Sequence, residues 1–144
     1  MKVFLSVFIF AFTFNLVSAQ KQADDVLGLW LTDDGRAKIE IYNENGKYSG
    51  KIVWLIQPQD VNGNPPLDTQ NPDPEMRKKP ILGIKLVKDF VFDGDKWVDG
   101  EIYDPDNGKT YACNMKLKKN KLEVRGYVGI PMFGRTVVWT KVNN

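Results

Sequence analysis

A chain of 144 residues with 20 basic and 18 acidic side chains, net charge +2, has room for one packed domain. Its charge balance gives no electrostatic case for nucleic acid or an anionic membrane as the main partner. There is no histidine and one cysteine, Cys113, which excludes Ser-His and Cys-His nucleophiles, a structural zinc site and any internal disulfide.

Residues 1–19 read as a cleaved signal peptide. Lys2 supplies the positive start, Phe4 to Val17 is apolar without a charge, and Val17-Ser18-Ala19 ends the run with small residues. That run is shorter than the roughly 20 apolar residues a membrane-spanning helix needs, and no cysteine follows it to carry a lipid. The expectation is a single domain over 20–144, periplasmic or secreted, with no membrane span.

The rest reads as β almost throughout. Val26 to Leu31 opens it. Ala37 to Asn43 alternates, Ile39 and Ile41 against Lys38 and Glu40, and Asn45-Gly46 is a hairpin turn into Tyr48 to Gln57. Ile52 to Ile56 is apolar at consecutive positions, which predicts a strand covered on both faces. Leu82 to Phe92, Lys96 to Tyr103, Lys109 to Lys118, Leu122 to Val128 and Thr136 to Val142 follow, joined at Asp93-Gly94, Asn107-Gly108 and Lys119-Asn120. About eight strands at such spacing predict an all-β antiparallel up-and-down meander, closed into a barrel that leaves no edge. The alternation Tyr111, Cys113, Met115, Leu117 places the thiol in the core. Lys116, Lys118, Lys119 and Lys121 read as a solvated surface.

Pro58 to Pro80 breaks the pattern with six of the eight prolines. Its one helical stretch is a turn or two, with Asp73 as N-cap, Pro74 first, Arg77 to Lys79 at the end and Pro80 as the stop. A connection this long is either a lid or binding loop, or a solvated insertion. Asp60-x-Asn62-x-Asn64 begins like a calcium loop, but Pro65 stands at the turning glycine and Asn71 where a bidentate Glu is needed. No metal and no cofactor are expected.

Gly28-Leu29-Trp30 resembles the Gly-x-Trp signature of lipocalins, whose Trp plugs one barrel end against a basic residue of the last strand. Lys141 is placed to be that residue. A wider resemblance runs through Tyr48-Ser49-Gly50-Lys51-Ile52-Val53, Asp68-Thr69-Gln70-Asn71-Pro72 and Arg77 to Gly83. It continues through Gly100-Glu101-Ile102-Tyr103-Asp104-Pro105, Gly108-Lys109-Thr110-Tyr111, Arg125-Gly126-Tyr127, Gly134-Arg135-Thr136 and Trp139-Thr140. This series is similar to a family of small secreted bacterial proteins, domain-of-unknown-function family 2147. The resemblance implies a lipocalin-like barrel in the bacterial envelope and no known activity.

Arg125 and Tyr127, two apart on a strand, share one face. Facing inward they resemble the carboxylate clamp of intracellular fatty-acid-binding barrels, with Arg135 as a second cation. The alternation Leu122, Val124, Val128 points them outward instead, unless Gly126 marks a bulge. The leading expectation is a non-enzymatic barrel that binds a small, mainly apolar or anionic ligand. Asp68, Asn71 and Arg77 from the loop and Arg125, Tyr127 and Arg135 from the late strands would orient it. The alternative is an envelope protein–protein interaction module whose barrel is filled by side chains. An enzyme ranks third: its chemistry would have to run on carboxylates, Lys or Tyr, with Asp68, Glu101 and Asp104 as candidates, and no catalytic residue is assigned.

Overall fold

Turn chemistry and period-two alternation lay out the chain. The computed structural model describes residues 22–143, so the segment expected to be a signal peptide lies outside the described residues. The strands are β1 (Gly28–Leu31), β2 (Ala37–Glu44), β3 (Lys47–Leu55), β4 (Lys85–Phe92), β5 (Trp97–Asp104), β6 (Lys109–Lys118), β7 (Lys121–Tyr127) and β8 (Gly134–Lys141). Asn45 and Gly46 turn β2 into β3 with φ of 55° and 85°, the left-handed pair that a two-residue hairpin requires. Each strand pairs antiparallel with the next, and β8 returns to β1 through Trp30↔Lys141 and Leu31↔Thr140. The eight-strand meander is a closed barrel, as the sequence predicts.

Inward positions carry the core: Ile39, Ile41, Ile52, Cys113, Met115, Leu122, Val124 and Trp139 are all buried. Outward positions carry charge, with Glu40–Lys51, Lys88–Glu101 and Lys118–Glu123 pairs at 3.4, 3.0 and 2.8 Å. Exposed pairs of this kind each contribute about 0–1 kcal/mol. Their importance is that a charged outer wall is the opposite of the apolar band a membrane-spanning barrel presents. No helix among the described residues is long and apolar enough to cross a membrane.

The double-sided burial expected for Ile52 to Ile56 does not occur. Ile52 is buried, whereas Trp54 and Ile56 are 38% and 59% exposed. A barrel wall has one inner face, and the β2–β3 register shift at Lys38/Ile39 turns Trp54, two residues on from inward Ile52, to the outer one, where the Lys38 ammonium lies 4.8 Å from its ring centroid.

Two further register shifts, silent in the alternation, bring Phe90 into the interior. Gly50 pairs with Val87 and Tyr48 with Phe90, so three residues of β4 span two of β3. Asp89 at φ 65° is part of that irregularity, its N–H donated to Ser49 Oγ at 3.2 Å. β5 repeats the device: Trp97 pairs with Met115 and Gly100 with Cys113, with Asp99 at φ 59°. Val87 and Phe90, three apart, are therefore both fully buried. A Cβ on Gly100 would stand 2.5 Å from the Phe90 ring, so glycine there is what admits the phenyl group.

One end of the barrel is closed by the segment before β1, which includes a 3-10 turn at Asp24–Val26. Trp97 Nε1 donates to Ala23 O at 3.1 Å, Trp30 Nε1 to Val26 O at 2.9 Å, and Tyr48 Oη to Asp24 Oδ1 at 2.7 Å. Lys141 lies 4.6 Å from the Trp30 ring centroid and donates to Leu27 O; burial holds its pKa below the ordinary lysine value. This is the Trp–cation plug that Gly28-Leu29-Trp30 suggests.

Cys113 is fully buried, and burial pushes its thiol up to about 12. Thiolate is the reactive form. Alkylation by iodoacetamide at pH 8 should therefore be negligible in folded protein and complete in denaturant, read by mass spectrometry. Rapid labelling of the native protein would contradict a core role for Cys113.

Candidate functional site

The chain leaves and re-enters the barrel's other end through four connections: β1–β2, β3–β4, β5–β6 and β7–β8. Between them opens a cavity of about 960 Å³, within the size range of small-molecule sites. Its wall is the inner face of successive strands: Ala37, Ile52, Leu86, Ile102, Val124 and Val137, with Trp139 below them. The closed half is filled by Trp30, Trp97, Phe90, Met115 and Leu122, all buried. The barrel is thus solid at one end and hollow at the other.

The rim is polar and mixed in charge. Asp34, Arg36, Tyr103, Asp104, Asp106, Tyr111, Tyr127 and Arg135 line it. Arg36 reaches from the β1–β2 connection to Asp106 of the β5–β6 turn, Nη1 to Oδ2 at 3.2 Å. The Asp106 hydrogen bond raises the Arg36 pKa. Both side chains are more than 60% exposed, so the pair is worth about 1 kcal/mol at most and opens readily.

The Pro-rich connection is an ordered strap. Leu67 bridges Pro80, Asp68 N–H donates to Lys79 O at 2.9 Å, and Ile81 N–H to Pro66 O at 2.9 Å. The helical stretch forms as one 3-10 turn, Met76–Lys78. The expected Asp73 cap is displaced: Glu75 is the N-cap and makes no side-chain cap bond, while Asp73 accepts the Glu75 N–H at 3.0 Å in the turn before it. Pro66 and Ile81 belong to the cavity lining, so the strap forms part of the wall.

Asp68 fastens the strap to the barrel. It is 0% exposed, accepts the Tyr103 hydroxyl at 2.6 Å and accepts Asn71 Nδ2 at 2.7 Å. Burial first, then this hydrogen bond, pushes Tyr103 up to about 12. Gly108 (φ 72°) holds the strap at a second point: a Cβ there would lie 1.9 Å from Gln70 O.

The six ligand-orienting residues expected from the sequence separate into four groups. Tyr127 and Arg135 line the rim, and Arg135 has no ion-pair partner among the described residues. Asp68 and Asn71 are spent on each other and on Tyr103 and are not in the lining. Arg77 is exposed and donates to the strap's own carbonyls, Nε to Asn71 O at 2.6 Å and Nη2 to Pro72 O at 3.4 Å.

Arg125 corrects the clamp. It lies across from Thr136 on the outer face and donates to Thr136 Oγ1 at 2.8 Å, to Pro131 O at 2.7 Å and to Met132 O at 3.3 Å. The regular β7–β8 register, with no bulge at Gly126, keeps Leu122 and Val124 inward and Arg125 outward. Gly126 itself lines the cavity.

The carboxylates do not converge. Glu101 pairs outward with Lys88, Asp68 is enclosed, and Asp104 alone of the three lines the cavity, where it also accepts the Asp106 N–H at 2.9 Å. Among the described residues no group of three His, Cys, Asp or Glu is placed to hold a metal. Asp60 Oδ1 accepts the N–H groups of Asn62 and Asn64 at 2.8 and 2.9 Å, an ordinary turn.

Sequence reasoning passed over Arg36, Leu86, Ile102, Tyr103 and Val137. Ile102 and Val137 carried a signal as alternate strand positions, but facing them inward requires the register set by Gly100 and Val124. Arg36 carried none, because its partner is 70 residues away.

Residues 28–141 match the model of a family described as an uncharacterized protein conserved in bacteria, DUF2147. No curated protein matches the chain. A solved structure, protein HP1028 from the human pathogen Helicobacter pylori, described as belonging to the lipocalin family, is similar at TM-score 0.72 and 23% identity. The likeness covers 83% of this chain and 84% of that one, and at that identity it shows a shared fold.

Proposed function

The chain belongs to the DUF2147 family of uncharacterised bacterial proteins, and from that premise we propose that it binds a small, mainly apolar ligand without catalysing a reaction. One observation carries the reading: an apolar-walled cavity of about 960 Å³ at the open end of an otherwise filled barrel. The lipocalin description of a structural neighbour agrees with it. The wall would take the apolar body of the ligand, while Tyr127 and Arg135, with Tyr103 and Tyr111 beside them, orient its polar end. The alternative, an interaction module with a solid barrel, fits the closed half and leaves the open half without a purpose. Residues 2–19 support a periplasmic or secreted location, which N-terminal sequencing of the purified protein tests: a chain beginning at Gln20 is expected, and one beginning at Met1 would refute it.

Native mass spectrometry of protein purified from its own cell should show a co-purified small molecule. A consistently empty barrel that also fails to bind the apolar fluorophore N-phenyl-1-naphthylamine would end the ligand reading. Gly126 offers a sharper test. A Cβ there would meet Ile102 Cγ2 at 3.4 Å, Tyr111 Cβ at 3.7 Å and Ala112 O at 4.0 Å, all ordinary contacts, so a side chain enters the cavity without a backbone clash. Gly126→Phe should occupy the wall and weaken fluorophore binding about tenfold or more, by displacing roughly a ring's worth of buried apolar contact. An unchanged affinity in the folded variant would place the fluorophore elsewhere.

A further inference from the structure

The β7–β8 connection concentrates exposed apolar side chains. Val128, Ile130, Met132 and Phe133 are 72, 50, 76 and 75% exposed. They project from a loop held at its base by Arg125, whose guanidinium donates to Pro131 O and Met132 O. Such an exposed patch marks an interaction surface. Two observations indicate the partner.

The first is charge. From Val124 to Thr140 the chain contains Arg125 and Arg135 and no acid; the near-neutral total hides this local bias. Arg125 is committed to the loop, which leaves the exposed Arg135 at its foot, near Tyr127. The acids of the rim, Asp33 and Asp34 in the β1–β2 connection and Asp104 and Asp106 at the end of β5 and in the turn after it, lie on other connections, so the compatible contact is confined to this one tip. An apolar tip above a tyrosine and a guanidinium complements a lipid surface: acyl region, interface and phosphate in that order.

The second is continuity. Val128 and Phe133 line the cavity as well as meeting solvent. A tip seated in lipid would bring the cavity mouth against the acyl chains, so an apolar ligand could enter or leave without crossing water.

We infer that the β7–β8 loop docks the open end of the barrel on a lipid bilayer. Its use as a loading position rests on the ligand-binding reading above; the docking itself does not. Ile130 and Met132 are outside the cavity lining, so an Ile130→Asp, Met132→Asp variant tests docking and leaves the site intact.

In flotation with phosphatidylcholine–phosphatidylglycerol vesicles, the purified protein should rise with the lipid. The double variant should lose about tenfold or more of that partitioning, since two large side chains no longer enter the apolar region. Arg135→Gln should lower partitioning less and flatten its salt dependence. Circular dichroism checks that each variant is folded. Failure of the parent protein to float, or equal flotation of the double variant, overturns the inference. So does light scattering that finds a parent dimer converted to monomer by the double substitution, because a second copy would then cover the tip. N-phenyl-1-naphthylamine binding, measured without vesicles, separates the two readings: flotation without probe binding removes only the ligand, and probe binding without flotation removes only the docking.

Discussion

Replacing Trp30 with Ala should cost about 3–5 kcal/mol and lower the melting temperature by roughly 10–20 °C, the largest loss expected from a single substitution in this protein. Three contributions disappear together. The indole is 0% exposed at the base of the filled half, so its removal leaves a cavity the packed surroundings cannot close. Its Nε1–H no longer satisfies Val26 O, and Lys141 loses the ring beneath its ammonium. That last loss matters because burial already disfavours the charge on Lys141. Trp30→Phe keeps most of the apolar area and removes the N–H donor, so it should cost only about 1–2 kcal/mol. Thermal and urea unfolding measure both. A drop below about 1 kcal/mol for the alanine variant would show that the plug contributes little.

Asp68→Ala should cost about 2–4 kcal/mol and free the strap. The carboxylate accepts two short hydrogen bonds in a fully buried position, and a hydrogen bond to a charged group is worth about 1.5–3 kcal/mol. The substitution also leaves the Tyr103 hydroxyl and Asn71 amide without their acceptor. Hydrogen exchange and limited proteolysis should increase over residues 58–80 ahead of the strands, because the remaining ties are the strap's own backbone bonds and its seat on Gly108. Protection that falls uniformly across the barrel would refute the fastening role.

The same contact sets a pH dependence through Tyr103, whose folded value of about 12 stands above the ordinary 10.0 because of burial and the Asp68 hydrogen bond. A folded value raised above the unfolded one favours the protonated folded form. Its contribution is therefore complete below pH 10 and lost between pH 10 and about 12. Tyr103→Phe should be less stable than the parent at neutral pH, and the difference should shrink across that interval. A difference that stays constant up to pH 12 would remove the phenol from the linkage.

Much of the fold lies in local pattern. Alternation in Ala37–Asn43 and Lys109–Lys118, the left-handed pair Asn45-Gly46 and the left-handed Gly108 place strands and turns because period-two burial and turn geometry are written in adjacent residues. Gly28-Leu29-Trp30 with Lys141 likewise announces the plug. The burial of Cys113 follows from its neighbours in β6.

Tertiary structure decided the rest, for a common physical reason: each case depends on partners distant in sequence. The bulges at Asp89 and Asp99 put Phe90 over Gly100, and they exist only in the pairing of β4 with β3 and of β5 with β6. Asp68 looked like a ligand contact because it is a carboxylate in a long loop; only the approach of Tyr103 makes it a fastener. Arg125 was ambiguous between faces until the register with β8 turned it outward. The division of the interior into a filled half and a hollow half depends on where side chains from all eight strands meet, and no single strand contains that information.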